Sequence, residues 1–105
     1  MNVIRSKDYT ASRAWEALQL ASMNGISVRL HWADQPYRWH RNDGDEVFVV
    51  LDGCVDMHYR IDGAEQVATL ALAAGDIFLA RAGSEHHARP HGAARMLVIE
   101  HEGSD

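Results

Sequence analysis

The chain has a single cysteine, Cys54, so it forms no internal disulfide. That scarcity suits a reducing compartment, and a cytoplasmic location is expected. Long apolar runs are absent too. The stretches Val47–Leu51 and Thr69–Ala74 fall far short of a bilayer's thickness, so no membrane role is expected. Met1–Thr10 carries charges but no apolar core of a secretory leader. Basic clusters are lacking: 10 Lys and Arg stand against 15 Asp and Glu, for a net charge of −5. With no basic stripe to track phosphates, nucleic acid is not an expected partner. There are two prolines, Pro36 and Pro90, each beside an expected strand end, and no linker-like stretch. At 105 residues the chain fits one domain.

What the chain does have is histidine, seven in all, four of them between Glu85 and Glu102. It also has short β patterns separated by turn signals, as in a sandwich or barrel. Ile26–Trp32 alternates, with Ile26, Val28, Leu30 and Trp32 on one face and Ser27, Arg29 and His31 on the other. The spacing predicts a half-buried strand with Arg29 and His31 toward solvent. Asn24-Gly25 before it favours a type I′ hairpin. Tyr37–Asn42, Val47–Leu51, Val55–Ile61, Gln66–Leu72, Ile77–Arg81 and Ala94–His101 read as further strands. Turns are expected at Asp43-Gly44, Asp52-Gly53, Asp62-Gly63, Gly75-Asp76 and Ala82-Gly83.

The first 25 residues read as an N-terminal extension and residues 26–105 as the barrel. Thr10–Met23 fits an amphipathic helix capped at Asn24-Gly25. It also fits a short helix followed by a strand at Ala17–Ser22 paired with Ile26–Trp32. The second reading is preferred, because it covers a sheet edge.

His40 and Asn42 are two apart on a strand and share a face. The turn at Asp43-Gly44 brings Glu46 back toward the same space, and the segment Gly83–His87 supplies a further imidazole in His86 from a turn. Two imidazoles and a carboxylate form a ligand set for non-haem iron with open positions, and one that suits manganese, nickel or zinc. The bland reading is a hydrogen-bonded polar cluster, with Asn42 a turn residue.

In these residues the sequence resembles the cupin superfamily. Its first motif is usually written G(x)5HxH(x)3,4E(x)6G, and here Asp34, His40, Asn42, Glu46 and Gly53 fall on the fixed positions. Its second, G(x)5PxG(x)2H(x)3N, falls on Gly75, Arg81, Gly83, His86 and Pro90. The resemblance spans roughly residues 26–101. It implies an all-β fold, a small antiparallel barrel or jelly roll, and a metal site carried by His40, Glu46 and His86 with Asn42 at the fourth position. Asn42 replaces a histidine and is a weak, hard ligand. The resemblance also inverts the parity of the Tyr37–Asn42 strand: the polar face lines the pocket and Tyr37 and Trp39 pack outside.

Arg81, at a strand end near the pocket, is a candidate carboxylate or phosphate anchor, weighed against a surface arginine. His91, in a loop, is a candidate rim residue, weighed against an exposed one. His31 and His58 read as solvated, His87 as pointing away from His86, and His101 as inert. Two functions follow: a metal-dependent enzyme on a small molecule, of dioxygenase or isomerase type, with Glu46 as ligand or general base; or a non-catalytic module binding a sugar or small acid. A homodimer covering the aromatic outer face is expected.

Overall fold

The computed structural model describes residues 1–61 and 63–104. Asp62, half of the expected turn at Asp62-Gly63, and Asp105 lie outside the described residues. Among the described residues, a 3-10 helix at Ser6–Asp8 is followed by nine strands: β1 (Ala17–Met23), β2 (Ile26–Ala33), β3 (His40–Arg41), β4 (Glu46–Asp52), β5 (Cys54–Arg60), β6 (Ala68–Ala73), β7 (Ile77–Ala80), β8 (Glu85–Pro90) and β9 (Ala94–His101). One sheet runs β1-β2-β9-β4-β7 and the other β3-β8-β5-β6. All strand pairs are antiparallel.

The N-terminal alternative that the chain adopts is the strand. Asn24 and Gly25 take φ of 52° and 77°, the two positive values a type I′ turn requires. The turn folds β1 onto β2, pairing Met23 with Ile26 through to Ala17 with His31. The helix over Thr10–Met23 does not form.

Inward-facing residues are apolar at one end of the strands and polar at the other. On β9 the inward row runs Ala94, Met96, Val98, Glu100; on β4 it runs Val50, Phe48, Glu46. Register aligns these gradients: Val50 pairs with Met96 and Phe48 with Val98. On β2, His31 pairs with Met96, Arg29 with Val98 and Ser27 with Glu100. Across the barrel, Met57 pairs with Ala88 and Tyr59 with His86. The apolar ends make a core of Ala33, Phe48, Val50, Val55, Met57, Leu72, Ala88, Ala94, Met96 and Val98. Met57 and Met96 are fully buried there. Truncating a methionine so placed typically removes about 2–5 kcal/mol of stability. The polar ends open into a cavity.

Most strand ends shift by a residue from the sequence reading, and three regions differ more. The second expected strand shortens to His40–Arg41, and residues 37–39 are irregular. Gln66–Leu72 becomes Ala68–Ala73. Glu85–Pro90 is strand β8, where Gly83–His87 was read as a turn, with alternating burial that hides His86, Ala88 and Pro90.

Candidate metal centre and its cavity

His40, Glu46 and His86 come from three strands and meet at the polar end of the barrel. His40 and His86 are Cα partners across β3 and β8, with ring centroids 4.4 Å apart. Glu46 opens β4 and is buried, as is His86. One donor atom from each of the three lies within 4.8 Å of the others.

Each ring is held by its surroundings. Nδ1–H of His40 donates to the Arg38 carbonyl at 3.1 Å, which leaves Nε2 with the lone pair. Burial pushes His40 below the ordinary imidazole range, partly offset by that carbonyl, so the ring is neutral near neutral pH. Asn42 is clamped to the turn before β8: its backbone N–H donates to Ser84 O, and Gly83 N–H donates to Asn42 O, both at 2.9 Å. Its side-chain Nδ2 donates to Ala80 O at 3.4 Å, turning Oδ1 toward His86 Nε2 at 2.9 Å. An amide oxygen only accepts, so His86 carries its proton on Nε2 and its lone pair on Nδ1.

Two buried polar atoms are then without hydrogen bonds among the described residues, Glu46 Oε1 and His86 Nδ1. Glu46 Oε1 does lie 3.2 Å from His86 Nε2, but that N–H is directed at Asn42, so the contact is electrostatic. Leaving such groups unmade costs about 1–3 kcal/mol each, more if charged. A carboxylate oxygen and imidazole lone pairs are the donors a divalent transition metal takes, so these residues fit a cation.

The cavity around the cluster has a volume of about 310 Å³, at the small end of ligand pockets. Trp15, Tyr37 and Phe48 give it an aromatic wall, and Arg29, His31 and Glu100 also line it. Trp15 adopts φ of 69°, a left-handed conformation that costs about 1–2 kcal/mol for a residue with a Cβ. Three hydrogen bonds impose it: N–H to Trp32 O at 2.8 Å, Nε1–H to Gln35 O at 2.7 Å, and its carbonyl accepting from His31 Nδ1 at 2.8 Å. The Trp15 and Tyr37 rings meet edge-on at 5.3 Å, and Tyr37 meets His40 at 5.2 Å.

The sequence reading placed Arg29 and His31 in solvent and Tyr37 outside the barrel; all three line the cavity. For β2 the missed signal is the one used at His40 and Asn42: in a pocketed barrel the polar face of a strand turns inward. Leu30, on the other face, is also buried, so β2 is covered on both sides. Trp39 does pack outside, where its indole N–H and Arg60 both donate to Glu85 and hold that carboxyl below its usual range. His87 also points away from His86, stacked on His58 at 4.6 Å.

The anchor candidate Arg81 and the rim candidate His91 are not among the residues lining the cavity. The Arg81 side chain is largely exposed, 3.7 Å from Asp45, on a separate groove lined by Leu70, Ile77 and Leu79. His91 is exposed beyond β8, with Nε2 2.7 Å from Asp56. His101 packs over Gly44.

Comparison with known proteins agrees with this architecture. A family model described as Cupin domain matches residues 31–100. Among curated proteins, an acireductone dioxygenase of Rhodopseudomonas palustris is 36% identical over 63 residues, 60% of this chain and 37% of that protein. The chain thus spans little more than a third of that relative's length. Among solved structures, a cupin-2 domain containing protein from Shewanella frigidimarina superposes with a TM-score of 0.78 at 26% identity, covering 95% of each chain. A hydroquinone 1,2-dioxygenase in complex with Cd2+ and 4-hydroxybenzonitrile superposes at 0.76 with 20% identity, over 88% of this chain and 67% of that one. At that identity the likeness shows the fold alone. With the matched segment running through both motifs and most of the barrel, the chain belongs to the Cupin domain family.

Proposed function

We propose that the protein is a metal-dependent enzyme acting on a small molecule, with His40, Glu46 and His86 as ligands to a divalent ion. The observation that carries this reading is the cluster itself: His40, Glu46 and His86 each bring one possible donor atom within 4.8 Å of the others, and Glu46 Oε1 is buried there without a hydrogen bond. Iron, manganese, nickel or zinc at such a set supplies Lewis-acid polarisation or, for iron, activation of dioxygen. The dioxygenase name of the curated relative favours oxygen chemistry among these.

The chain's own residues do the rest. His40 is kept neutral by burial, so its Nε2 lone pair is available without deprotonation. Asn42 accepts the Nε2 proton of His86 and fixes that ring's tautomer, the role outer partners play around metal-bound histidines. The aromatic wall excludes water from one side of the cavity and offers flat surface to a substrate.

Thermal denaturation tests the reading. Excess Fe(II), Mn(II), Ni(II) or Zn(II) should raise Tm, because an ion that binds only the folded state stabilises it by about 2.7 kcal/mol at a hundredfold excess over Kd. Chelation should reverse the rise, and Glu46→Ala should abolish it. A Tm indifferent to all four metals contradicts the proposal.

The second reading, a ligand-binding module without turnover, is favoured by one observation. Asn42 stands where the family pattern has a histidine, and its amide occupies His86 Nε2. A homodimer and a cytoplasmic location belong to the proposal as well. No described helix is long and apolar enough to cross a membrane. Sedimentation equilibrium reads the dimer as twice the 11.7 kDa chain mass; a monomer mass contradicts it.

A further inference from the structure

Arg29 is the only lysine or arginine among the described residues that line the cavity. Among the described residues its side chain makes one hydrogen bond, Nε–H to Gln19 Oε1 at 3.0 Å, and no carboxylate pairs with it. A guanidinium has five N–H donors, so its terminal fork is left for something else. Arg29 is half-buried and its Gln19 bond lies at the exposed side of β2, so the fork is open to a molecule entering the cavity, and its planar shape matches a carboxylate bidentately.

Sheet register places Arg29 relative to the metal-fitting cluster, while its Nε–H reaches sideways to Gln19 on β1. Arg29 and Phe48 both pair with Val98, so the three form one inward row. Glu46 lies two residues from Phe48 on the same face of β4. Two strand spacings separate β2 from β4, about 10 Å. That span, bounded by Trp15, Tyr37 and Phe48, suits one flat ring or conjugated chain. His31, also on β2, adds no competing charge: its Nδ1–H is donated to Trp15 O, and burial together with the Arg29 charge pushes its pKa down.

We propose that Arg29 is the anion anchor of the cavity and that the molecule the cavity takes is a small planar carboxylate. The carboxylate sits on the Arg29 fork, and the body lies along the aromatic wall toward His40, Glu46 and His86. This deepens the reading of the cavity as a reaction site, and rests on it. Arg29 becomes a specificity-determining residue, a role for which the sequence offered Arg81 as a candidate beside its reading as a surface arginine.

The experiment is calorimetric titration of benzoate and of its neutral isostere benzamide into wild type, Arg29→Gln and Arg29→Lys. Each protein is used with its metal and after chelation, with metal content measured in parallel. Wild type should bind benzoate in both forms and benzamide far more weakly. Arg29→Gln should lose about tenfold or more of the benzoate affinity, with metal content unchanged. Arg29→Lys, which keeps the charge and loses the fork, should fall between. Equal benzoate affinity in wild type and Arg29→Gln overturns the anchor. So does benzamide binding as tightly as benzoate, no saturable benzoate binding, or benzoate binding that vanishes on chelation. Wild type that binds benzoate through Arg29 but takes up no metal sinks the metalloenzyme reading and leaves the anchor standing.

Discussion

Asn42 takes a histidine's place, and its amide does a different job there. With Nδ2 bound to Ala80 O and Oδ1 facing His86, it dictates which nitrogen of His86 holds the proton. Replacing it with alanine removes that acceptor and frees the tautomer. Asn42→Ala should lower metal affinity about 10–100-fold, as loss of outer partners does elsewhere, measured by competition against a chromophoric chelator. Unchanged affinity would contradict the positioning role. The cluster of His40, Glu46 and His86 was legible because the first two fall on fixed positions of one motif around the Asp43-Gly44 turn and the third on a fixed position of the second motif. Arg29 and His31 were not: a polar residue on an alternating strand reads as solvent-facing until the far side of the sheet is known.

Among the elements, the hairpins were the most legible, because glycine at positive φ leaves a local mark. Two of them separate strain from packing. Gly25 (φ 77°) has nothing within 4 Å of an added Cβ, whereas at Gly53 (φ 79°) a Cβ would meet Ala93 O at 2.7 Å and Ala94 Cα at 2.9 Å. Gly25→Ala should cost only the left-handed backbone, about 1–2 kcal/mol. Gly53→Ala should cost clearly more, because β4–β5 must also move away from β9. Urea denaturation midpoints compare them, and equal shifts would contradict the contact. Strand β8 escaped the sequence reading because His86-His87 and Arg89 break a simple apolar alternation. The alternation is there in burial, with His86 in the row of Ala88 and Pro90. Residues 37–39 escaped for the opposite reason. Parity was applied where no regular strand exists, so Tyr37 lands beside His40 while Trp39 packs outside.

The whole molecule is a barrel with a dry end and a wet end, and that division couples stability to pH. His31 and His40 both have pKa values pushed below the ordinary histidine value of about 6.5, burial being the largest cause. Between the folded and unfolded values the unfolded chain binds more protons. Metal-free stability should therefore rise with pH through that window and fall as pH drops below about 6.5. Tm measured from pH 8 to pH 5 in chelator reads this slope, and His31→Gln should flatten it; an unchanged slope would contradict the buried neutral imidazole. The fold was legible at this scale because two motifs a barrel's length apart share one pattern. The cavity is less so, since part of its lining falls outside both motifs, here Trp15, Arg29 and His31.

The most direct test of the account is elemental analysis of purified wild type beside His40→Ala, each also after reconstitution with iron, manganese, nickel and zinc. The account predicts near-stoichiometric metal in wild type and its loss in the variant. No metal in either protein, or equal metal in both, would contradict it.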